Sequence, residues 1–167
     1  MPRITPEAAG GQNVCALLDC IAASEIGPGL LEASDDGYNV LVGSTASAPL
    51  LFDSYASHPN VYNPRYRSTA AGRYQLLSRY FSAYKSQLRL PDFGPVSQDR
   101  IAIQQIRESR AFDLIVSGQF AQAIAAIAHI WASLPGAGYG QHENQLSVMQ
   151  AAYLAAGGQL ADCEAAP

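Results

Sequence analysis

The residue best placed to do chemistry in this sequence is Glu25, because it falls where a carboxylate needs a reason to be. A helical pattern begins near Asn13, a good N-cap, and stops at Gly27-Pro28. At about 100° per residue it sets Val14, Leu18, Ile21 and Glu25 within an arc of about 60°, so the carboxylate shares the core-facing stripe. Burial disfavours the charged form, and the negative end of the helix dipole acts in the same direction. Both effects favour a protonated acid near neutral pH, the state a glycosidic general acid requires. Periodicity alone leaves a plainer alternative open, in which Glu25 turns to solvent or pairs with an arginine.

Two other stretches have a composition suited to a ligand. Ser68-Thr69-Ala70-Ala71-Gly72-Arg73-Tyr74-Gln75 packs small residues ahead of an aromatic and an amide, directly before an apolar helical pattern. Small side chains let a ligand approach the backbone, while Tyr74 and Gln75 offer a stacking face and amide hydrogen bonds of the kind N-acetylated sugars need. A plain helix start explains the same residues. Leu134-Pro135-Gly136-Ala137-Gly138-Tyr139-Gly140 reads as a mobile loop with one aromatic, and it lacks both a preceding strand and the GxGxxG spacing of a nucleotide loop.

Other chemistries find little support. His58, His129 and His142 show neither HExxH nor paired spacing and read as solvated, so no metal site and no cofactor are expected. There is no GxSxG elbow, and Asp19 denies Cys15 and Cys20 the electropositive setting of a nucleophile. With Cys163 they form an odd set without CxxC spacing, which fits reduced thiols, Cys15 and Cys20 being small helix residues. Trp131 reads as core.

The elements that must position these residues suit one domain. The chain has 167 residues, 49% of them apolar, enough to bury a core of its own. Only 14% are charged and the net charge is −4, so no basic surface is available for a phosphate backbone and nucleic acid is excluded as a partner. No window approaches a membrane span, and Met1-Pro2-Arg3 does not open a signal core, so the product is expected to remain in the cytosol where it is made. Residues 1–12 and 158–167 are expected to be loose. Tyr38-Asn39-Val40-Leu41-Val42 alternates between turn signals and predicts a short strand in a small sheet. Further helices are predicted from Leu77 to Leu88, from Ser97 as N-cap through Ile103 and Ile106, and from His142 to Ala156. The apolar run from Gln119 to Leu134 predicts the central core helix. The class is α+β with helices dominant.

These stretches, taken together, carry a family resemblance. Ser24-Glu25, the run Gly37 to Gly43, the run Ser68 to Leu77, and the run Ile130 to Gln141 resemble, in order, the bacteriophage lambda endolysin family of lysozyme-like lytic transglycosylases. The resemblance extends from Leu17 to Gly158. It departs before Leu17, where the N-terminal extension is unlike the family, and between Gly43 and Pro49, where extra small residues appear. It implies a lysozyme-like fold, a mostly helical lobe with a small β-sheet around a glycan groove. Glu25 matches the family's catalytic acid, and Ser68, Tyr74, Gln75 and Tyr139 are the candidates for holding sugar.

The implied reaction breaks β-1,4 bonds between N-acetylmuramic acid and N-acetylglucosamine in peptidoglycan and leaves 1,6-anhydro-muramic ends. The family lacks the second carboxylate of hydrolytic lysozymes. Two alternatives stay open: a hydrolytic lysozyme using Asp35, Asp36 or Asp53, and a noncatalytic wall-binding module. The resemblance also implies flexible segments flanking the groove, at Leu50 to Asn60 and Gly136 to Gln141. The expected partners are peptidoglycan glycan strands. The protein is expected to be a monomer in the host cytoplasm, without membrane insertion, reaching the periplasmic wall once a separate factor permeabilises the membrane.

Overall fold

A computed structural model of the chain describes residues 1–138, 140 and 143–162. Eight helices carry the described fold: α1 (Pro6–Ala9), α2 (Gln12–Ile26), α3 (Pro28–Glu32), α4 (Ser78–Leu88), α5 (Pro95–Glu108), α6 (Phe112–Val116), α7 (Phe120–Ile127) and α8 (Leu146–Ala155). The central helix is α2, which packs against α1, α3, α5, α6 and α8. Val14 through Leu18 and Cys20 through Ala22 are all buried, because Ala and Cys on the flanks of its Val-Leu-Ile stripe let neighbours approach from several sides. The prediction that gave this place to Gln119–Leu134 is corrected. Helix α7 stops at Ile127, and turns donate Ile130 N to Ile127 O and Leu134 N to Trp131 O. Trp131 and Leu134 remain buried because a succession of turns repeats every three residues much as a helix does.

Several boundaries have local causes. Helix α5 starts two residues before the predicted cap, with Pro95 in its first turn, and Asp92 Oδ1 accepts from both Gly94 N and Ser97 Oγ at 2.8 Å. Ser97 therefore lies inside the helix. Helix α8 starts at Leu146 rather than at residue 142. His142 and Cys163 lie outside the described residues.

The predicted small sheet is reduced to isolated antiparallel bridges, Val40 to Leu51, Leu41 to Ala71, and Ala71 to Leu76 among them. Asn63 Nδ2 donates to Val42 O and Gln98 Nε2 to Tyr38 O, so side-chain amides occupy carbonyls that a ladder would use. Gly37 and Gly43 have φ of 87° and 89°, which turns the chain at both ends of the segment. Three short segments thus lie side by side without becoming strands.

The described residues of both ends, expected to be loose, make defined contacts with the body. Arg3 N and Ile4 N donate to Asp99 Oδ2 at 2.8 and 2.9 Å, Ile4 is buried, and the Met1 amino group bonds Asp36 at 2.9 Å. At the other end Gln159 N donates to Asn13 Oδ1, and Ala161 N to Gly118 O. Backbone donors that find fixed acceptors hold both ends against the body. A second, smaller core lies beside α4 and α5, where Phe81 meets Phe93 edge to face at 5.1 Å. His58 belongs there rather than in solvent: its ring lies 4.7 Å from that of Phe93, and Nε2 is 2.8 Å from Leu76 O.

Candidate active site

Helix α2 ends at Gly27, whose φ of 78° lets the chain turn directly into α3. Two residues earlier, the half-buried Glu25 faces a cavity of about 660 Å³. Its walls come from Ile26 and Leu30, from Val40 to Ser44, from Tyr62 and from Tyr66 to Ala70, and its far side from Trp131 and Ala132. A second cavity of about 470 Å³ shares Gln75, Leu77, Arg79 and Trp131 with the first and continues past Tyr80, Tyr84 and Glu108. Together they form one long groove with Glu25 in the first of its two parts.

The position of Glu25 is set from the far side of the sequence. Ser133 Oγ donates to Glu25 Oε1 at 2.5 Å, and Ser133 N approaches the same oxygen at 3.4 Å. Behind this contact Asn144 Nδ2 donates to Ser24 Oγ at 2.9 Å, and Ser24 Oγ donates to Ser133 Oγ at 2.8 Å. An amide has no choice but to donate, so the chain runs one way, Asn144 to Ser24 to Ser133 to Glu25. Oε1 is thereby committed as an acceptor, while no described hydrogen bond engages Oε2. Burial raises the pKa of Glu25, and the two Ser133 donors partly counter it. A proton held by this carboxyl resides on Oε2, which is the oxygen free to give it away.

The residues around Gly72 are held by a buried polar network. Gly72 has φ 81° and sits against the Gln98 side chain, where no Cβ fits. Arg73 is buried, pairing with Asp19 at 2.5 Å and Asp36 at 2.7 Å and lying over the Tyr38 ring. Gln98 accepts from Arg73 N at 2.9 Å. Asp99 accepts from Tyr38 Oη and Tyr74 Oη, each at 2.7 Å, as well as from the N-terminal backbone. This network fixes the loop that carries Gln75 into the groove.

The predicted sugar-holding residues divide accordingly. Gln75 lines both parts of the groove, donating Nε2 to Gly72 O at 2.8 Å and keeping Oε1 without a described protein donor. Ser68 lines the Glu25 part, although its Oγ already accepts from Ala70 N. Tyr74 lines the second part of the groove, but it is 4% exposed, its hydroxyl points inward to Asp99, and its carbonyl accepts from Trp131 Nε1 at 3.0 Å. It therefore presents little surface for stacking, because a buried phenol takes the partner that satisfies it. Tyr139 lies outside the described residues.

Of the two expected flanking segments, Leu50 to Asn60 does not line the groove; Phe52 and His58 turn into the smaller core and Tyr55 Oη donates to Asp35. Tyr62 to Ala70 forms that wall instead. In the other segment Gly136 N and Gly138 N both donate to Glu143, which holds these two glycines together. Sequence reasoning missed Ser133, Asn144, Gln98 and Asp99. For Asp99 a signal existed, since it stands at helical spacing from Ala102, Ile103 and Ile106. For Ser133 none did, because its partner is 108 residues away.

Comparison with known proteins agrees with this geometry. A family model described as Endolysin matches residues 15–160. The endolysin of Escherichia phage lambda is 45% identical over 153 residues, covering 89% of this chain and 94% of that protein. The endolysin of Escherichia phage P2 is 44% identical over 155 residues, covering 88% and 94%. Among solved structures, bacteriophage lambda lysozyme complexed with a chitohexasaccharide matches with a TM-score of 0.82 at 43% identity over 96% of this chain and 99% of that one. Lysozyme from bacteriophage lambda matches with a TM-score of 0.77 over the same shares. The fold is therefore lysozyme-like, and the chain belongs to the endolysin family.

Proposed function

We propose that this protein cleaves the β-1,4 bonds of peptidoglycan glycan strands as a lytic transglycosylase, with Glu25 as its single catalytic acid and base. The observation that carries this is a desolvated carboxyl on a long groove, fixed through one oxygen and free at the other. The related lambda lysozyme, solved with a chitohexasaccharide, supports a glycan as occupant.

Glu25 Oε2 gives its proton to the bridging oxygen as the C1–O bond breaks and positive charge develops at C1. The substrate acetamido group stabilises that centre. The muramic C6 hydroxyl then attacks C1 and returns its proton to Glu25, which closes the 1,6-anhydro ring and restores the acid. Gln75 and Ser68 are the sugar-holding groups, with Tyr139 kept as a proposal from sequence.

A hydrolytic reaction needs a second carboxylate near C1 or an activated water. Among the described residues, Glu25 is the one carboxylate lining its part of the groove. Asp35 accepts from Tyr55 and Arg3, Asp36 is paired with Arg73 and the N-terminus, and Asp53 is outside the groove. This favours the intramolecular ring closure. We further propose that residues 1–167 act as one domain and a monomer. The protein would be made in the host cytoplasm and reach the wall when a separate factor opens the membrane.

The test is mass spectrometry of muropeptides released from purified peptidoglycan. Products lacking the mass of one water support the transglycosylase reading, and products carrying it establish the hydrolytic one. A noncatalytic wall-binding module would release none.

A further inference from the structure

The chain carries a net charge of −4, yet the wall of the groove holds two arginines, Arg67 and Arg79, that pair with no carboxylate among the described residues. Their places are built. Asn63 and Ser68 exchange two backbone hydrogen bonds, closing a turn that ends on Arg67 with φ 49°, a left-handed conformation that a side chain with a Cβ adopts only at a cost. The Ala71 to Leu76 bridge and the 2.9 Å hydroxyl contact between Thr69 and Ser78 pin the two arms of the next hairpin. Arg67 and Arg79 both lie at the open end of that hairpin. The Arg79 guanidinium lies 4.8 Å over the Tyr80 ring, which orders the cation while leaving its edge free to form a fork.

Neutral N-acetylated sugars have no use for two cations on one wall, whereas guanidinium groups match carboxylates in charge and in bidentate shape. Burial, opposed by the Ser133 donors, raises the pKa of Glu25, which leaves these arginines to be explained otherwise. We propose that Arg67 and Arg79 form a carboxylate-reading site on the groove wall, occupied by the free carboxylates of the peptide stems that branch from muramic residues. The site rests on the peptidoglycan reading above and extends it from the glycan to its peptide branches.

The test replaces both residues, Arg67→Gln with Arg79→Gln, and compares three ligands. These are soluble glycan strands with stems, strands stripped of stems by an amidase so that only lactyl carboxylates remain, and chitohexaose in a binding assay. For stem-bearing strands KM should rise by about tenfold, and the wild-type dependence of KM on ionic strength should flatten. KM for stripped strands and the Kd for chitohexaose should stay within about twofold of wild type, since exposed charges contribute little to uncharged contacts. Arg67→Lys with Arg79→Lys should recover part of the loss, because charge returns without the fork. Equal losses on stem-bearing and stripped strands would overturn the proposal in favour of the lactyl group or the glycan itself, and so would an unchanged KM on stem-bearing strands. A wild-type protein that cleaves neither strand would overturn the function reading, and this site with it.

Discussion

The buried Asp99 and the half-buried Glu25 are both shifted toward their protonated forms, each chiefly by desolvation, yet their surroundings differ in kind. Asp99 is wholly buried and saturated, with two tyrosine hydroxyls on one oxygen and two backbone amides on the other. Glu25 has donors from Ser133 on one oxygen only, and it borders a groove. A saturated carboxylate has no capacity left for a substrate and serves as a staple for the chain. A half-satisfied one, held on one side and open on the other, keeps a protonation site in reserve. The contrast teaches that perturbed ionisation marks a residue as costly to bury, while the unspent hydrogen-bonding capacity shows where chemistry is done.

The largest expected effect separates the two by rate. Glu25→Gln keeps shape and an acceptor for Ser133 but cannot give a proton, so glycan cleavage should fall by about 10²- to 10⁴-fold in a turbidity assay on permeabilised cells. Stability should move the other way. An acid whose folded pKa is raised contributes stability that is complete below its unfolded value and is lost as pH rises through the folded value. The variant escapes that loss, so its melting temperature should match wild type in acid and equal or exceed it near neutrality.

Asp99→Leu should reverse the pattern. It strands two backbone amides and two hydroxyls in the core, and chemical denaturation should show a loss of about 3–5 kcal/mol. Asp99→Asn should lose less, because the tyrosine hydroxyls can rotate to accept from an amide while the backbone donors cannot. Ser133→Ala should lower kcat by about tenfold through looser placement of the acid. The Ser133 hydroxyl helps hold the Glu25 pKa down, so its removal should move the alkaline limb of the pH–rate profile to higher pH, which a merely structural role would not do. The smallest effect belongs to Tyr74→Phe, which removes one of four donors to Asp99. It should cost about 1 kcal/mol in stability and leave KM for glycan near wild type. A large rise in KM would give Tyr74 a direct part in holding sugar.

Helical periodicity made most of the long elements legible, because α2, α4 and α5 each carry large apolar residues at helical spacing and their own stops. Glu25 was legible for the same reason. The short helices α1, α3 and α6 were not, since four or five residues complete no periodic pattern. The expected strand failed because its carbonyls are taken by the side chains of Asn63 and Gln98, which lie 21 and 60 residues away. The burial of the Tyr74 hydroxyl was not legible for a related reason: composition proposes an aromatic near a ligand but does not say which way the ring faces. The relay from Asn144 through Ser24 and Ser133 joins three distant segments and leaves no trace in spacing.

The central claim, that Glu25 is a desolvated acid poised at the groove, is tested most directly by titrating its carboxyl with ¹³C NMR, using Glu25→Gln to assign the signal. The account expects a midpoint in the free enzyme clearly above the ordinary range of glutamate, about 4.3, and coincident with the alkaline limb of kcat/KM on peptidoglycan. A midpoint at or below that range, or an activity profile indifferent to it, would contradict the account.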